Sequence, residues 1–336
     1  MQKTKEPRLK PRTSIKSLFR EWGLILFILV VIIVASTQRP EFLTPSNLVN
    51  ILRSYSTYGI AALGVAFTII GGGMDLSIGS TVSLSAVVTM LIINATTVNR
   101  VSPAYATFIV LIVGIVIGAC VGAIAGGIIA AVNGRAGESM VLTYALQIII
   151  AAIANGIVDG QFQAAEYREG LFKTMGTGMI PVLFFLILAV ILQFILGKTS
   201  FGRHLYFLGS NMQAAKMAGI RTRFVRFMAH VICGACAGLA GVLVVARVNS
   251  SSITQGLNYE MDAMACVAIG GVSMNGGDGN LAKVVLGAIV LGVLLNALNL
   301  LGVQANPQLI VRGSVIILAV ILDVWNKKAK LKEVAK

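Results

Sequence analysis

Long apolar runs constrain this chain more than any other feature. Their residues do not follow the amphipathic spacing of a helix on the surface of a soluble protein. Each run is close to the roughly 20 helical residues that cross the hydrocarbon core of a bilayer. Only 12% of the chain is charged, which agrees with burial in lipid. The sequence predicts an all-α, polytopic membrane protein with about ten transmembrane helices, at residues 22–37, 51–70, 76–93, 104–131, 140–158, 179–196, 225–246, 257–273, 281–300 and 308–325.

The distribution of basic residues predicts how the chain is oriented in the lipid bilayer. The formal net charge is +14, and Lys and Arg are concentrated in residues 1–20, in residues 198–226 and after residue 326. A nucleic-acid-binding surface would show a basic stripe with interleaved aromatic residues, so no nucleic-acid partner is expected. With the N-terminus inside, the inner segments hold 20 Lys and Arg residues and the outer segments hold six. This positive-inside bias predicts that both termini are cytoplasmic.

The same pattern predicts one membrane domain with two basic tails. A cleaved signal peptide is disfavoured, because the first apolar run is followed by no clear small-x-small site and many further runs succeed it. The expected parts are a cytoplasmic N-terminal tail at 1–21, a transmembrane domain at 22–325 with a long inner loop at 198–224, and a cytoplasmic C-terminal tail at 326–336.

The chain lacks the residue patterns that enzymes use. Its two histidines, His204 and His230, stand in no cluster with metal-ligand spacing. Residues 197–199 read Gly-Lys-Thr, but Leu192 occupies the position where a P-loop has its first glycine. We therefore expect no catalytic residue, no metal, no cofactor and no ATP site within this chain.

Small residues inside the apolar runs predict close helix packing. A glycine at every fourth position of one run lies on one helix face and lets another backbone approach. Cys233 and Cys236 match the C-x-x-C pattern, but no βαβ context surrounds them, so we interpret them as small residues within a membrane helix. The glycines of this ladder are Gly114, Gly118, Gly122 and Gly126.

The inner loop at 198–224 contains a predicted short helix. Asn211 can cap its N-terminus, and Gly219 can end it. One interpretation is a basic loop held at the lipid headgroups. The other is a docking helix for a cytoplasmic partner, which explains better why a capped helix interrupts the loop.

Three segments resemble those of one transporter family and stand in its order. They are GGGMDLSIGS at 71–80, FGRHLYFLGSNMQAAKMAGI at 201–220 and AIGGVSMNGGDGNLAKVVLGAIVLGVLLNALNLLGV at 268–303. The family comprises the sugar-importing permeases of ATP-binding-cassette (ABC) transporters, in the branch for ribose, xylose, arabinose, galactose and autoinducer-2. Asn133 followed by Gly134 also fits, although the segment NGRAGESMVLTYALQ lacks the proline that this family usually has there.

The resemblance implies a multi-pass permease of the bacterial inner membrane that translocates a monosaccharide or a related small polyol. A cytoplasmic ABC ATPase would hydrolyse ATP, an extracytoplasmic sugar-binding protein would deliver the substrate, and a second permease copy, identical or closely related, would complete the path. The residues implied to couple the chain to the ATPase are Gly202, Arg203, Gly209, Asn211, Ala214, Ala215, Gly219 and Arg221.

A glycine cluster and an acid lie between the second and third apolar runs. Gly71, Gly72 and Gly73 would end one helix, and Asp75 and Ser77 would satisfy free N–H groups at the start of the next. The alternative is a broken helix that lines the translocation path. A similar run at 270–279 suggests a weak internal repeat. The further candidates for a helix break or path are Asn133, Gly270, Gly271, Gly276 and Gly277.

An ion-coupled secondary transporter of a small polar solute is the alternative function. Such proteins also have broken helices, and they usually carry coupling charges deep in the membrane. The candidates here are Asp75 and Arg312. Arg312 could instead pair with Glu260 or Asp262, or extend to the membrane interface.

Overall fold

The computed structural model describes residues 28–98, 102–132, 134, 136–165 and 170–334. Asn133 and the predicted tail at 1–21 lie outside these residues. The described elements are helices α1 (Ile28–Gln38), α2 (Pro45–Ile70), α3 (Ile78–Val98), α4 (Pro103–Val132), α5 (Ala136–Val158), α6 (Leu171–Met175), α7 (Ile180–Lys198), α8 (Ser200–Ser210), α9 (Met212–Met217), α10 (Thr222–Val248), α11 (Tyr259–Ile269), α12 (Leu281–Leu300) and α13 (Ala305–Val334), a 3-10 turn (Pro40–Leu43), and strands β1 (Gln163–Ala164) and β2 (Ser250–Ser251).

The long helices alternate in direction between two ends of the bundle. We name the end that carries α8 and α9 the lower end, and the other the upper end. At the upper end β1 and β2 pair antiparallel, with Gln163 opposite Ser251. α2 and α10 lie at the centre, and most side chains in the second half of α2 are buried. α13 continues without a break from the last apolar run through the predicted C-terminal tail to Val334.

The described structure holds six helices that are long and apolar enough to cross a membrane, which are α3, α4, α5, α7, α10 and α12. α2 is long enough, but polar residues such as Arg53 and Ser54 occupy its first half. The run predicted at 257–273 forms only the 11-residue α11. A polytopic all-α membrane protein is thus confirmed, whereas the count of ten spans and the side on which the termini lie stay predictions.

The glycine ladder packs α4 directly against α10, as predicted. A Cβ atom at Gly118 would collide with the backbone oxygen of Gly234, and one at Gly122 with that of His230. Such backbone-to-backbone approach is the usual means of helix association where no water drives it. Cys233 and Cys236 are buried in the same helix as free thiols, which agrees with their interpretation as small packing residues.

Two helices end in the same glycine turn, and the two turns lie in the two glycine runs that suggested a weak repeat. At the end of α2, Gly71 N–H donates to Phe67 and Gly72 N–H to Ile69. At the end of α11, the N–H of Gly270 and that of Gly271 make the corresponding bonds. The second glycine has a φ of 75° in the first turn and 70° in the second, the left-handed region that glycine adopts without strain.

Candidate functional site

After its glycine turn the chain is non-helical through residues 73–77, inside the protein and beside α5. Non-helical backbone at this depth needs partners for its polar groups. α5 supplies them: Ser139 Oγ donates to Met74 O at 2.7 Å, and Leu76 N–H donates to Thr143 Oγ1 at 3.0 Å. The segment therefore lies one to two turns in from the lower end of α5. These two hydroxyls were missed by the sequence analysis, although their i, i+4 spacing on one helix face was visible.

Asp75 organises the start of α3, but not in quite the predicted way. Its Oδ1 accepts bonds from both the N–H and the hydroxyl of Ser77, at 2.9 and 2.6 Å. The Ser77 hydroxyl thus donates to the acid and does not cap α3, whereas the Ser77 carbonyl accepts the first bonds from the helix. Asp75 is only 3% exposed, so in this conformation its carboxylate faces no open path.

Three segments meet at the lower end in what we call the glycine junction, made of residues 70–73, 209–210 and 276–279. Gly277 N–H donates to Ile70 O at 2.9 Å. A Cβ at Gly209 would collide with the same Ile70 oxygen. A Cβ at Gly276 would lie only 2.9 Å from the Cα of Gly72. The junction thus brings together six of the predicted site residues and joins both helix breaks to the end of α8.

Polar side chains of α8 hydrogen-bond to backbone carbonyls of this junction. Tyr206 Oη donates to Gly279 O at 2.6 Å, and Ser210 Oγ lies 3.5 Å from Gly277 O. Burial, and then the nearby Asp278 carboxylate, raise the pKa of Tyr206 above its usual value. The phenol therefore keeps its proton over the whole physiological range and remains a donor.

The predicted short helix exists as α9, with the predicted cap and stop. Asn211 Oδ1 accepts from the N–H groups of Gln213 and Ala214, both at 3.0 Å. Gly219 follows with a φ of 77°. Gly202 lets α8 turn back against the end of α7, since a Cβ there would collide with Leu196 O.

The outer face of α9 is exposed, and one residue faces inward. Ala215 is fully buried, whereas Ala214 is exposed and Met217 is 90% exposed. Three basic residues in or next to α8 and α9 are also exposed, namely Arg203, Lys216 and Arg221. We call these three residues the basic rim.

A cavity of about 410 Å³ lies behind α9. Its walls come from the end of α8, from Gly72, and from the buried Arg226, whose guanidinium donates to Gly134 O. Within the described residues no group of His, Cys, Asp or Glu could hold a metal ion.

Polar contacts in the membrane-spanning part link α11 to its neighbours. Arg312 Nη1 binds Asp262 Oδ2 at 2.9 Å, so the predicted inter-helix pair is confirmed with Asp262 as the partner. Glu260 instead accepts a bond from Gln147 Nε2 of α5 at 3.3 Å. Gln147 was not predicted as a site, yet it continues the polar face of α5 that begins at Ser139 and Thr143.

Comparison with known proteins identifies the family. A family model described as the permease component of the branched-chain amino acid transport system matches residues 47–320, which is most of the chain. The chain belongs to this permease family. It is accordingly a transport component of the cell inner membrane and not an enzyme, and ATP hydrolysis belongs to a partner ATPase subunit in an importer that also uses a binding protein.

Several characterised relatives match almost the whole permease. The ribose import permease protein RbsC of Escherichia coli is 34% identical over 320 residues, covering 93% of this chain and 96% of the relative. The D-allose transport system permease protein AlsC and the galactose/methyl galactoside import permease protein MglC of the same organism are each 33% identical, over 94% and 93% of this chain and 97% and 96% of the relative. No solved structure matches. The relatives support the predicted ABC permease over the ion-coupled alternative.

Proposed function

We propose that this permease imports a monosaccharide or a related small polyol. The named substrates of its relatives, which are ribose, allose and galactose or methyl galactoside, support this substrate class. We also infer that two permease copies, identical or closely related, form the path together. The lower end of the bundle faces the cytoplasm in this account, together with the tails at 1–21 and 326–336, because the basic residues concentrate there.

The observation that carries the mechanism is α9, an exposed capped helix joined to both helix breaks. Met217 and the basic rim offer the partner ATPase an apolar anchor together with exposed charge, which is a common composition of an interface core and its rim. α9 is too short to be a stable unit alone, so it moves with α8. The ATPase-coupling residues are those of this surface and its supports: Gly202, Arg203, Gly209, Asn211, Ala214, Ala215, Gly219 and Arg221.

Movement of α9 reaches the membrane helices through the glycine junction. Because Gly209 touches Ile70 and lies against Gly277, a displacement of α8 acts on the ends of α2 and α11 at once. Those ends adjoin the segments that begin α3 and α12. Closure of the two ATPase subunits on ATP would in this way shift the bundle between outward-facing and inward-facing states, with the chain itself breaking no covalent bond.

The docking surface is tested by reversing its charge. The triple variant Arg203→Glu, Lys216→Glu, Arg221→Glu should lose most ATPase co-purification, because all three side chains are exposed and none supports the bundle. Arg39→Glu, also exposed but at the upper end, is the matched control and should bind the ATPase normally. Unchanged ATPase binding by the triple variant, with its detergent-solubilised fold intact, would refute the docking assignment.

A further inference from the structure

α11 begins halfway across the bundle, not at its upper end. Tyr259, its first residue, stacks on Tyr58 with ring centroids 4.2 Å apart, and its hydroxyl lies 3.2 Å from Thr57 Oγ1. Thr57 and Tyr58 are the middle residues of the 26-residue α2. The chain between α10 and α11 must therefore descend from β2 to the middle of the membrane without forming a helix.

Contacts of Glu260 also place the N-terminus of α11 at the middle of the bundle. Glu260 accepts its bond from Gln147, which is the middle residue of α5 and lies about 16 Å from either end of that helix. α3 also starts near here, because a Cβ at Gly79 would collide with Glu260 Oε2, and Gly256 N–H donates to Ser83 Oγ at 2.9 Å. Two helix N-termini thus meet in the middle of the bundle around one buried carboxylate.

The descending segment, residues 252–258, is exposed on one side. Thr254 and Leu257 are exposed, and Ser252, Gln255 and Asn258 are half-buried. Turn backbone and polar side chains of this kind are not found against lipid at such a depth, and are tolerated where they are buried in protein or line water. This side is not buried in the chain, and a water-filled path between the two proposed permease copies would satisfy its polar groups.

We propose that residues 252–258 form a re-entrant segment lining the upper, extracytoplasmic half of the translocation path, with Leu257 and Met261 as its narrow apolar floor. The proposal rests on the importer function above and names the surface that performs it. Leu257 is 67% exposed and Met261 is 43% exposed, and they stand four positions apart at the start of α11. Apolar constrictions of this kind close a pore by excluding water. Above them, hydroxyl and amide groups offer hydrogen bonds to a neutral polyhydroxy solute.

Glu260 is the positioning residue of this segment. Its side chain is 7% exposed, and its Oε2 makes no hydrogen bond within the part of the chain that the structure describes. A carboxylate beside the N-termini of α3 and α11 is stabilised by both helix dipoles. Its bond to Gln147 also holds the re-entrant segment against α5, so separation of α5 from α11 would widen the path at its floor.

Thiol labelling in cells that make the whole transporter tests this surface. Leu257→Cys and Thr254→Cys are introduced into a Cys120→Ala background, because Cys120 is exposed and the other three cysteines are buried. The probe is a membrane-impermeant, charged methanethiosulfonate added outside. It needs water and a thiolate at the thiol. Val190→Cys in α7 is the matched control, since Val190 is 71% exposed and also lies at mid-helix, but on a regular membrane helix.

Leu257→Cys and Thr254→Cys should react at least about tenfold faster than Val190→Cys, because the water-filled half of the path reaches down to the upper surface of the floor and supplies the thiolate that reacts. Glu260→Gln keeps the bond to Gln147 and should preserve this pattern, whereas Glu260→Leu should change the rate at position 257 while leaving position 190 unaltered. Equal, slow labelling at positions 254, 257 and 190 would overturn the proposal. The labelling uses no sugar. A failure of the substrate assignment would therefore show separately, as absent sugar import by the wild-type transporter while the cysteine variants label as expected.

Discussion

At the scale of single residues, Asp75 shows how an acid inside an apolar bundle can find hydrogen-bond donors in its own segment. Its carboxylate satisfies the N–H and hydroxyl of Ser77, and within the described residues no cation lies within salt-bridge distance. The surrounding chain is held by hydroxyls of α5. The acid is therefore explained by the non-helical segment 73–77, whose polar groups would otherwise be buried without partners.

Substitution of Asp75 separates the structural role from ion coupling. Asp75→Ala leaves two buried donors of Ser77 unsatisfied and should lower the free energy of unfolding by about 1–3 kcal/mol. Asp75→Asn keeps an acceptor in place, so its free energy of unfolding should fall by less and the variant should retain sugar import. Thermal unfolding in detergent and uptake in cells measure the two effects. Abolished import by a stable Asp75→Asn variant would instead mark a coupling carboxylate.

Residue identities predicted the cap of α9 well, because Asn211 and Gly219 act through local backbone geometry. The same holds for Asp75 and Ser77, apart from the direction of one hydrogen bond. Gln147 could not be predicted, since its partner Glu260 is 113 positions away and belongs to a segment whose depth local patterns do not reveal. Long-range pairs of this kind follow from how the helices are arranged.

At the scale of elements, the packing of α4 on α10 depends on glycines and not on large apolar side chains. Gly118→Ala should lower the free energy of unfolding by about 1–3 kcal/mol, because its Cβ meets backbone of α10 that cannot yield cheaply. Gly127→Ala in the same helix is the matched control, since its Cβ would have nothing within 4 Å. That variant should be neutral or more stable by up to about 1 kcal/mol. Equal stability of the two variants in a detergent melt would contradict this packing.

The glycine junction predicts a variant that binds the ATPase but couples to it poorly. Tyr206→Phe removes the bond to Gly279 while leaving the exposed face of α9 intact. ATPase co-purification should stay normal, and the stimulation of ATP hydrolysis by the binding protein should fall. Tyr144→Phe, an exposed tyrosine on α5, is the control. Full stimulation in Tyr206→Phe would show that coupling does not depend on this contact.

Element boundaries were predicted well where an apolar run forms one continuous helix, as in α7 and α12. The prediction was wrong for 257–273, where hydropathy registers a span but the chain enters the bundle as turns and α11 supplies only half a helix. Hydropathy measures how apolar a segment is. A segment buried between other helices is apolar whether its backbone is helical or not. The left-handed Asn258, with a φ of 66°, marks the actual start of the helix.

At the scale of the whole molecule, the chain has irregular backbone at two levels, the glycine junction at the lower end and the meeting of the α3 and α11 N-termini at mid-depth. In the proposed mechanism the glycine junction at the lower end receives motion from α9. The meeting of α3 and α11 at mid-depth lies where a path can be opened or closed. α2 connects the levels, because its last residue touches Gly277 and its middle residues contact Tyr259.

The central claim is that this chain carries a sugar across the membrane with energy from ATP delivered at α9. The most direct measurement is uptake into proteoliposomes that contain the permease and its ATPase, with the binding protein outside, ATP inside, and labelled D-ribose, D-allose and D-galactose as probes. Uptake of at least one sugar should require internal ATP and persist when ionophores remove all ion gradients. Uptake that proceeds without ATP and disappears with the gradients would contradict the account.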